Sequence, residues 1–103
     1  MLPKITDKQL QYKKRIGTCH GNPVMEMCTS GGLYIVAVRK NNAVEVMGTG
    51  PHRAVARFIA KKKEPTMLIT ELSKSDWIDR PSIDSVLAKY EALTDAINGS
   101  LVT

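Results

Sequence analysis

The chain has 103 residues and a formal net charge of +5, and 43% of its residues are hydrophobic. This length predicts one domain that can bury a core without disulfides or a metal, and the hydrophobic fraction excludes intrinsic disorder. The longest apolar run, Leu33–Val38, is six residues long. A membrane-spanning helix needs ~20 apolar residues, so we expect no membrane partner.

The charge is distributed unevenly along the chain. Residues 1–63 have a net charge of +9, whereas residues 64–103 have a net charge of −4. This asymmetry favours a basic surface that faces a polyanion and an acidic segment that solvates or offsets it. A basic surface that only keeps the protein soluble is the alternative interpretation.

Two cysteines, Cys19 and Cys28, are too few for the disulfide framework of a small secreted domain. The first residues also lack the apolar stretch of a signal peptide, so we expect a cytoplasmic protein with reduced thiols. Neither cysteine stands with His20 or His52 at a spacing typical of zinc motifs. We therefore predict no metal and no cofactor.

The first predicted element is a helix from Asp7 to Ile16. Thr6 and Gln9 have the spacing of a capping box, which satisfies backbone N–H groups at a helix start. Gly17 follows at the position where a left-handed residue commonly ends a helix.

Three strands are predicted next, over Val24–Thr29, Leu33–Lys40 and Ala43–Met47. The pairs Gly31-Gly32 and Asn41-Asn42 between them are typical of tight turns, and two asparagines tolerate positive φ. Such short connections predict an antiparallel three-stranded meander.

The rest of the chain predicts a helix, a strand and a further helix. Pro51 suits the first position of a helix that ends at Lys63, because the missing N–H has no partner there anyway. Met67–Leu72 reads as a fourth strand. The last helix opens at Pro81 and ends at Gly99, and its apolar residues recur at helical spacing.

The segregation of strands and helices predicts an α+β fold in a single domain over residues 1–103. Its core, residues 5–64, has the order α-β-β-β-α, with an antiparallel three-stranded meander and helices packed on one face. Residues 65–103 form an acidic strand–helix extension that packs on this core.

The order of elements across residues 5–64 and one local motif resemble the double-stranded RNA-binding domain. That family joins its third strand to its second helix with the pattern G-x-G-x-S-K-K-x-A-K, and this chain reads GTGPHRAVAR over residues 48–57. Pro23 and Met25 are similar to the proline and hydrophobe that open the family's first strand. The resemblance implies a non-catalytic module that binds double-stranded or structured RNA.

The resemblance also implies which residues contact the RNA. A helix N-terminus presents free N–H groups that suit phosphate, and glycines let the backbone approach closely. The first helix of the family supplies a second contact region. The implied nucleic-acid-binding residues are Lys8, Gln11, Arg15, Gly50, His52, Arg53, Arg57 and Lys61.

The chain departs from the family in two regions. His52 and Ala54 replace the serine and second lysine of the motif, and the short Ser30–Gly32 connection lacks the family's Pro-x-His element. These departures leave open a protein-interaction or regulatory module, including a homodimer. The Gly48–His52 turn also leaves open a small phosphate-ligand binder or enzyme. No carboxylate or nucleophile stands near this turn in the sequence at a spacing typical of a catalytic motif, so a binding module is favoured over an enzyme.

Overall fold

Five antiparallel strands form one sheet, and two helices pack against it. The computed structural model describes residues 10–41, 43–70 and 80–102, with side chains over 13–41, 43–70 and 81–98. The elements are β1 (Leu10–Cys19), β2 (Asn22–Thr29), β3 (Tyr34–Lys40), β4 (Ala43–Gly50), α1 (Arg53–Lys63), β5 (Leu68–Ile69) and α2 (Arg80–Val102). The strands lie in the order β4-β3-β2-β1-β5. The predicted α+β class with an antiparallel sheet is confirmed.

The first described element is a strand, so the helix predicted over Asp7–Ile16 is wrong from residue 10 onwards. Residues 7–9 lie outside the described residues. β1 pairs with β2 along its whole length, with register shifts between Leu10 and Tyr12 and between Arg15 and Gly17, and it buries Ile16 in the core. Capping and C-cap signals are local, and here long-range strand pairing and burial decide the outcome.

The predicted meander is confirmed as β2, β3 and β4. Gly32, with φ of 86°, and Asn41, with φ of 55°, occupy left-handed conformations in its two turns. Both residue types tolerate this region of φ, as the turn prediction required. Asn42, the second residue of the predicted pair, lies outside the described residues.

Helix α1 covers one face of the sheet, and it begins at Arg53 rather than at Pro51. A buried glycine of β4 permits this close packing, because a Cβ on Gly48 would lie 2.0 Å from the carbonyl oxygen of Ala56. The core beneath α1 contains Ile16, Cys19, Val24, Val36, Val38, Met47, Ala56, Ala60 and Met67.

Helix α2 extends from α1, past the edge strand β4, to the opposite face of the sheet. Near its start, Ile83 packs against Val55 of α1, and near its end Ile97 packs against Ile35 of β3. Because successive residues of a strand face opposite sides, Ile97 lies across the sheet from α1. The end of α2 therefore packs on the sheet face opposite α1. Helix α2 also continues beyond Gly99, where the sequence predicted its end.

The predicted fourth strand is present as the two-residue strand β5. It pairs antiparallel with Gly17 and Thr18 of β1 and so extends the sheet at the edge opposite β4. Residues 71 and 72 of the predicted strand lie outside the described residues. Among the described residues, no helix is long and apolar enough to cross a membrane.

Candidate nucleic-acid interface

Three cationic side chains surround a buried carboxylate between the sheet and the start of α1. Glu26 of β2 is fully buried, and its Oε1 accepts a hydrogen bond of 2.8 Å from Nε of Arg57. Its Oε2 lies 3.1 Å from Nε of Arg53 and 4.0 Å from Nζ of Lys14. Three cations and one carboxylate leave this cluster with an excess of positive charge, but two of its cations are directed at the carboxylate rather than at solvent.

This geometry changes the role of the two arginines that the sequence predicted as phosphate contacts. Arg57 is buried, and Arg53 has only about a quarter of its side chain exposed (27%). The guanidinium of Arg53 also lies 5.7 Å from the ring centroid of Tyr34. Their one-turn spacing on α1 therefore directs both side chains toward the carboxylate of Glu26.

The other predicted phosphate contacts around α1, Gly50, His52 and Lys61, differ in their exposure to solvent. Gly50 is buried, and a Cβ there would lie 2.7 Å from Cβ of Val55, so helix α1 itself fills the space that a phosphate would need. His52 is the exposed N-cap residue of α1 and makes no side-chain capping bond. Lys61 is exposed, and its Nζ donates a 2.9 Å hydrogen bond to the carbonyl oxygen of Met67.

The RNA contacts that were predicted on a first helix belong instead to β1 or lie outside the described residues. Lys8 is outside the described residues, and Gln11 is placed by its backbone in β1. Arg15 is exposed on β1, and its Nε lies 3.4 Å from the carbonyl oxygen of Gly17, a long hydrogen bond.

A groove lies on the sheet face opposite α1. It has a volume of about 320 Å³, and its floor includes Met25, Met27 and Ala37. Exposed Lys13 and Arg39 line its rim, and exposed Arg15 lies opposite Met25 in the pairing of β1 with β2. We call this set, Lys13, Arg15 and Arg39 around Met25, Met27 and Ala37, the basic groove.

The cations of the basic groove are not engaged in ion pairs within the described part of the chain. None of the salt bridges there includes Lys13, Arg15 or Arg39. Two acids of α2 are paired elsewhere, because Glu91 lies 2.9 Å from Lys62 and Asp95 lies 3.4 Å from Lys63. The acids of α2 thus offset the end of α1 and leave the groove positive.

Sequence reasoning missed Lys13 and Arg39 as site residues. The run Lys13-Lys14-Arg15 carried the necessary signal, since a strand places alternate residues on one face. If this run is interpreted as a helix, its three charges point in different directions around the helix axis. That interpretation gives no reason to expect Lys13 and Arg15 on the same face of a sheet as Arg39 of β3.

A different polar cluster lies at the C-terminal end of α1. The buried Cys19, the exposed His20 and the half-buried Glu64 bring their donor atoms within 4.8 Å of one another. The Thr66 hydroxyl donates a 2.8 Å hydrogen bond to Oε1 of Glu64 and lies 3.1 Å from Nε2 of His20. Because the hydroxyl has one proton, Nε2 of His20 is the donor in the second bond.

The surroundings of this cluster shift two ionisation equilibria. Burial raises the pKa of the Cys19 thiol above its usual value, and the nearby Glu64 carboxylate raises it further. The hydrogen bond from Thr66 lowers the pKa of the Glu64 carboxyl, and the neighbouring His20 acts in the same direction.

No protein-family model, curated protein or solved structure matches the chain. The element order β-β-β-β-α-β-α also differs from the α-β-β-β-α order of the family that the sequence resembles, because residues 10–19 form a strand. Function must therefore be argued from the chemistry of the sites themselves.

Proposed function

We propose that this chain is a small non-catalytic module that binds RNA through its phosphates, with the basic groove as the contact surface. The observation that supports this proposal is the placement of three exposed cations, Lys13, Arg15 and Arg39, around one groove without a neutralising acid in the described residues. Cations without acidic partners attract a polyanion and release its condensed counterions on binding.

The composition of the groove suits a nucleic-acid strand. Arginine can hold a phosphate through two N–H groups at once, and lysine adds a point charge. The thioethers of Met25 and Met27 are polarisable and adapt to flat apolar surfaces, so they can contact a base or ribose between two phosphates. Contacts of this type give affinity with little sequence preference.

The basic groove is a better contact surface than the arginines of α1. Arg57 must remain with Glu26, because separating a buried ion pair leaves an uncompensated charge. Lys62 and Lys63 already face acids of α2. The groove cations can be neutralised by phosphate without breaking any ion pair of the described chain.

The test is a binding titration with labelled RNA at several salt concentrations. The triple variant Lys13→Gln/Arg15→Gln/Arg39→Gln removes the groove cations. The matched control Lys62→Gln/Lys63→Gln/Lys89→Gln removes the same number of charges from the exposed surfaces of α1 and α2. A duplex RNA, a single-stranded RNA and a DNA duplex of equal length establish which form is preferred.

We expect the groove variant to lose at least ~10-fold in affinity and to reduce the salt slope by about 2, because each phosphate contact contributes roughly 0.7–0.9 to that slope. The control should keep the wild-type slope to within about 1. Equal losses in both variants would mean that only net charge matters, and undetectable wild-type binding at low salt would reject the proposal.

A second candidate function is self-association through the edge of the sheet. In the described chain β5 pairs only with Gly17 and Thr18, so the outer edge of β1 over residues 10–15 has no partner strand there. Unpaired strand edges are templates for pairing with another chain. Leu68, whose side chain is 62% exposed, lies on β5 beside this edge.

Sedimentation equilibrium distinguishes this candidate from a monomeric RNA-binding module. If β1 mediates a dimer, Leu68→Asp weakens it, whereas Val44→Asp does not, because Val44 is a comparably exposed residue on the opposite edge strand. A monomer at every concentration tested would reject self-association.

A further inference from the structure

The cluster at the C-terminal end of α1 contains one donor atom each from a thiol, an imidazole and a carboxylate. Nε2 of His20 and Oε1 of Glu64 are 3.6 Å apart. The Sγ of Cys19 lies within 4.8 Å of a ring nitrogen of His20 and of a carboxylate oxygen of Glu64. In a tetrahedral zinc site with bonds of ~2.0–2.3 Å, donor atoms lie roughly 3.3–3.6 Å apart. The His20 and Glu64 atoms already have this spacing, and the Cys19 thiol needs to approach them by at most about 1.5 Å.

The fold brings these residues together from two separate parts of the chain. Cys19 is the last residue of β1, and His20 and Gly21 form the two-residue turn into β2 with φ of 49° and 81°. Few residues other than glycine adopt a left-handed conformation, and histidine, like asparagine, is among those that do so more often. Glu64 is the C-cap residue of α1, so its carboxylate meets the turn at the end of the helix.

The donor set is suited to zinc rather than to calcium or magnesium. Thiolate and imidazole are preferred by Zn²⁺, whereas Ca²⁺ and Mg²⁺ prefer oxygen ligands. Three protein ligands leave one tetrahedral position for water. The Thr66 hydroxyl, which already donates to Oε1 of Glu64, would hold that carboxylate in place as an outer partner.

We propose that Cys19, His20 and Glu64 bind one zinc ion through Sγ, Nε2 and a carboxylate oxygen. On binding, the Cys19 thiol releases its proton to solvent. The imidazole proton moves from Nε2 to Nδ1, so His20 remains neutral. The ion joins the β1–β2 turn to the end of α1, and this site is independent of the basic groove.

The chain provides matched controls, because it has two cysteines and two histidines. His20→Asn removes one ligand and retains a residue that accepts the left-handed turn. Its control, His52→Asn, changes the exposed histidine at the other end of α1. Cys28→Ser is the control for Cys19→Ser, since both thiols are buried. Glu64→Gln removes the carboxylate charge at nearly constant shape.

The experiment titrates reduced, metal-free protein with Zn²⁺ in competition with a chromophoric chelator. We expect one zinc per wild-type chain, and at least ~10-fold weaker binding for His20→Asn and Glu64→Gln. His52→Asn and Cys28→Ser should bind as the wild type does. Circular dichroism of the metal-free variants establishes that each remains folded.

Two further measurements test the ligand set. With Co²⁺ as the probe, a thiolate-to-metal charge-transfer band should form in the wild type and in Cys28→Ser but not in Cys19→Ser. At one fixed concentration of free Zn²⁺, the melting temperature should rise less in His20→Asn than in the wild type, because an ion that binds only the native state stabilises it in proportion to its affinity.

Three results would overturn this proposal. One is the absence of stoichiometric zinc binding by the wild type. Another is wild-type affinity in folded His20→Asn, and the third is a loss in His52→Asn as large as that in His20→Asn.

Discussion

Arg57 donates a 2.8 Å hydrogen bond from Nε to Oε1 of Glu26, and both side chains are buried between α1 and the sheet. A charge in this position is tolerated only when it is paired and hydrogen-bonded. The pair therefore fixes the rotation of α1 over β2, and it makes Arg57 a structural residue.

Glu26→Gln should destabilise the protein by about 3 kcal/mol or more, since breaking a buried pair leaves Arg57 as an uncompensated buried charge. Urea unfolding followed by circular dichroism measures the change. Glu45→Gln is the control, because Glu45 is only partly buried on β4 and joins no salt bridge of the described residues. We expect less than about 0.5 kcal/mol for that change.

The double variant Glu26→Leu/Arg57→Met removes both charges of the pair, so it distinguishes the loss of the ion pair from the cost of leaving one buried charge unpaired. Replacing both charges by apolar groups of similar volume is often neutral or stabilising, so the double variant should be more stable than Glu26→Gln. The opposite order of stabilities would mean that Arg57 is not held in place by Glu26.

Local patterns were sufficient to predict six of the seven elements that the structure describes, all except β1. β2, β3 and β4 follow from β-branched runs that are separated by glycine and asparagine turns. Helix α1 follows from apolar residues at helical spacing between Pro51 and Pro65. The strand β1 was predicted as a helix, because the spacing of Thr6, Gln9 and Gly17 is a local signal. The pairing of β1 with β2, which outweighs that signal, depends on partner residues up to 19 positions away.

The candidate sites were harder to predict than the elements. Arg53 and Arg57 have the spacing of phosphate contacts, and only the position of Glu26 beneath α1 reveals their other partner. The Cys19–His20–Glu64 cluster has no sequence motif, since 43 positions separate Cys19-His20 from Glu64. Neither relationship can be inferred until the sheet order and the position of α1 are known.

Gly48→Ala should destabilise the protein by about 3 kcal/mol. Its new Cβ would lie 2.0 Å from the carbonyl oxygen of Ala56, so α1 must move away from β4. Gly31→Ala is the matched control, because the nearest atom to its Cβ would be 3.8 Å away, at ordinary contact distance. Thermal unfolding compares the two variants, and equal melting temperatures would contradict the close packing of α1 on β4.

Lys62→Ala and Lys63→Ala should each change the free energy of unfolding by less than about 0.5 kcal/mol, because exposed ion pairs contribute little. Their partners Glu91 and Asp95 belong to α2. In contrast, Ile83→Ala at the buried contact of α2 with α1 should cost about 2–4 kcal/mol. Urea unfolding measures all three, and a large loss for either lysine would mean that ion pairs hold α2 in place.

Asn98→Ala should cost about 2 kcal/mol, because the Asn98 amide pairs with the backbone of β4 as a neighbouring strand would. Its Oδ1 accepts a 2.7 Å hydrogen bond from the N–H of Val46, and its Nδ2 donates to the carbonyl of the same residue. Val46 is buried, so the variant leaves two backbone groups without these partners.

Lys89→Ala, on an exposed position of the same helix, is the control for this change and should unfold at the wild-type urea concentration. The Asn98 variant should also self-associate more readily, because β4 then presents an unpaired edge. Sedimentation measures that association. Wild-type stability in Asn98→Ala would mean that the apolar contact of Ile97 with Ile35 is sufficient to hold α2 against the sheet.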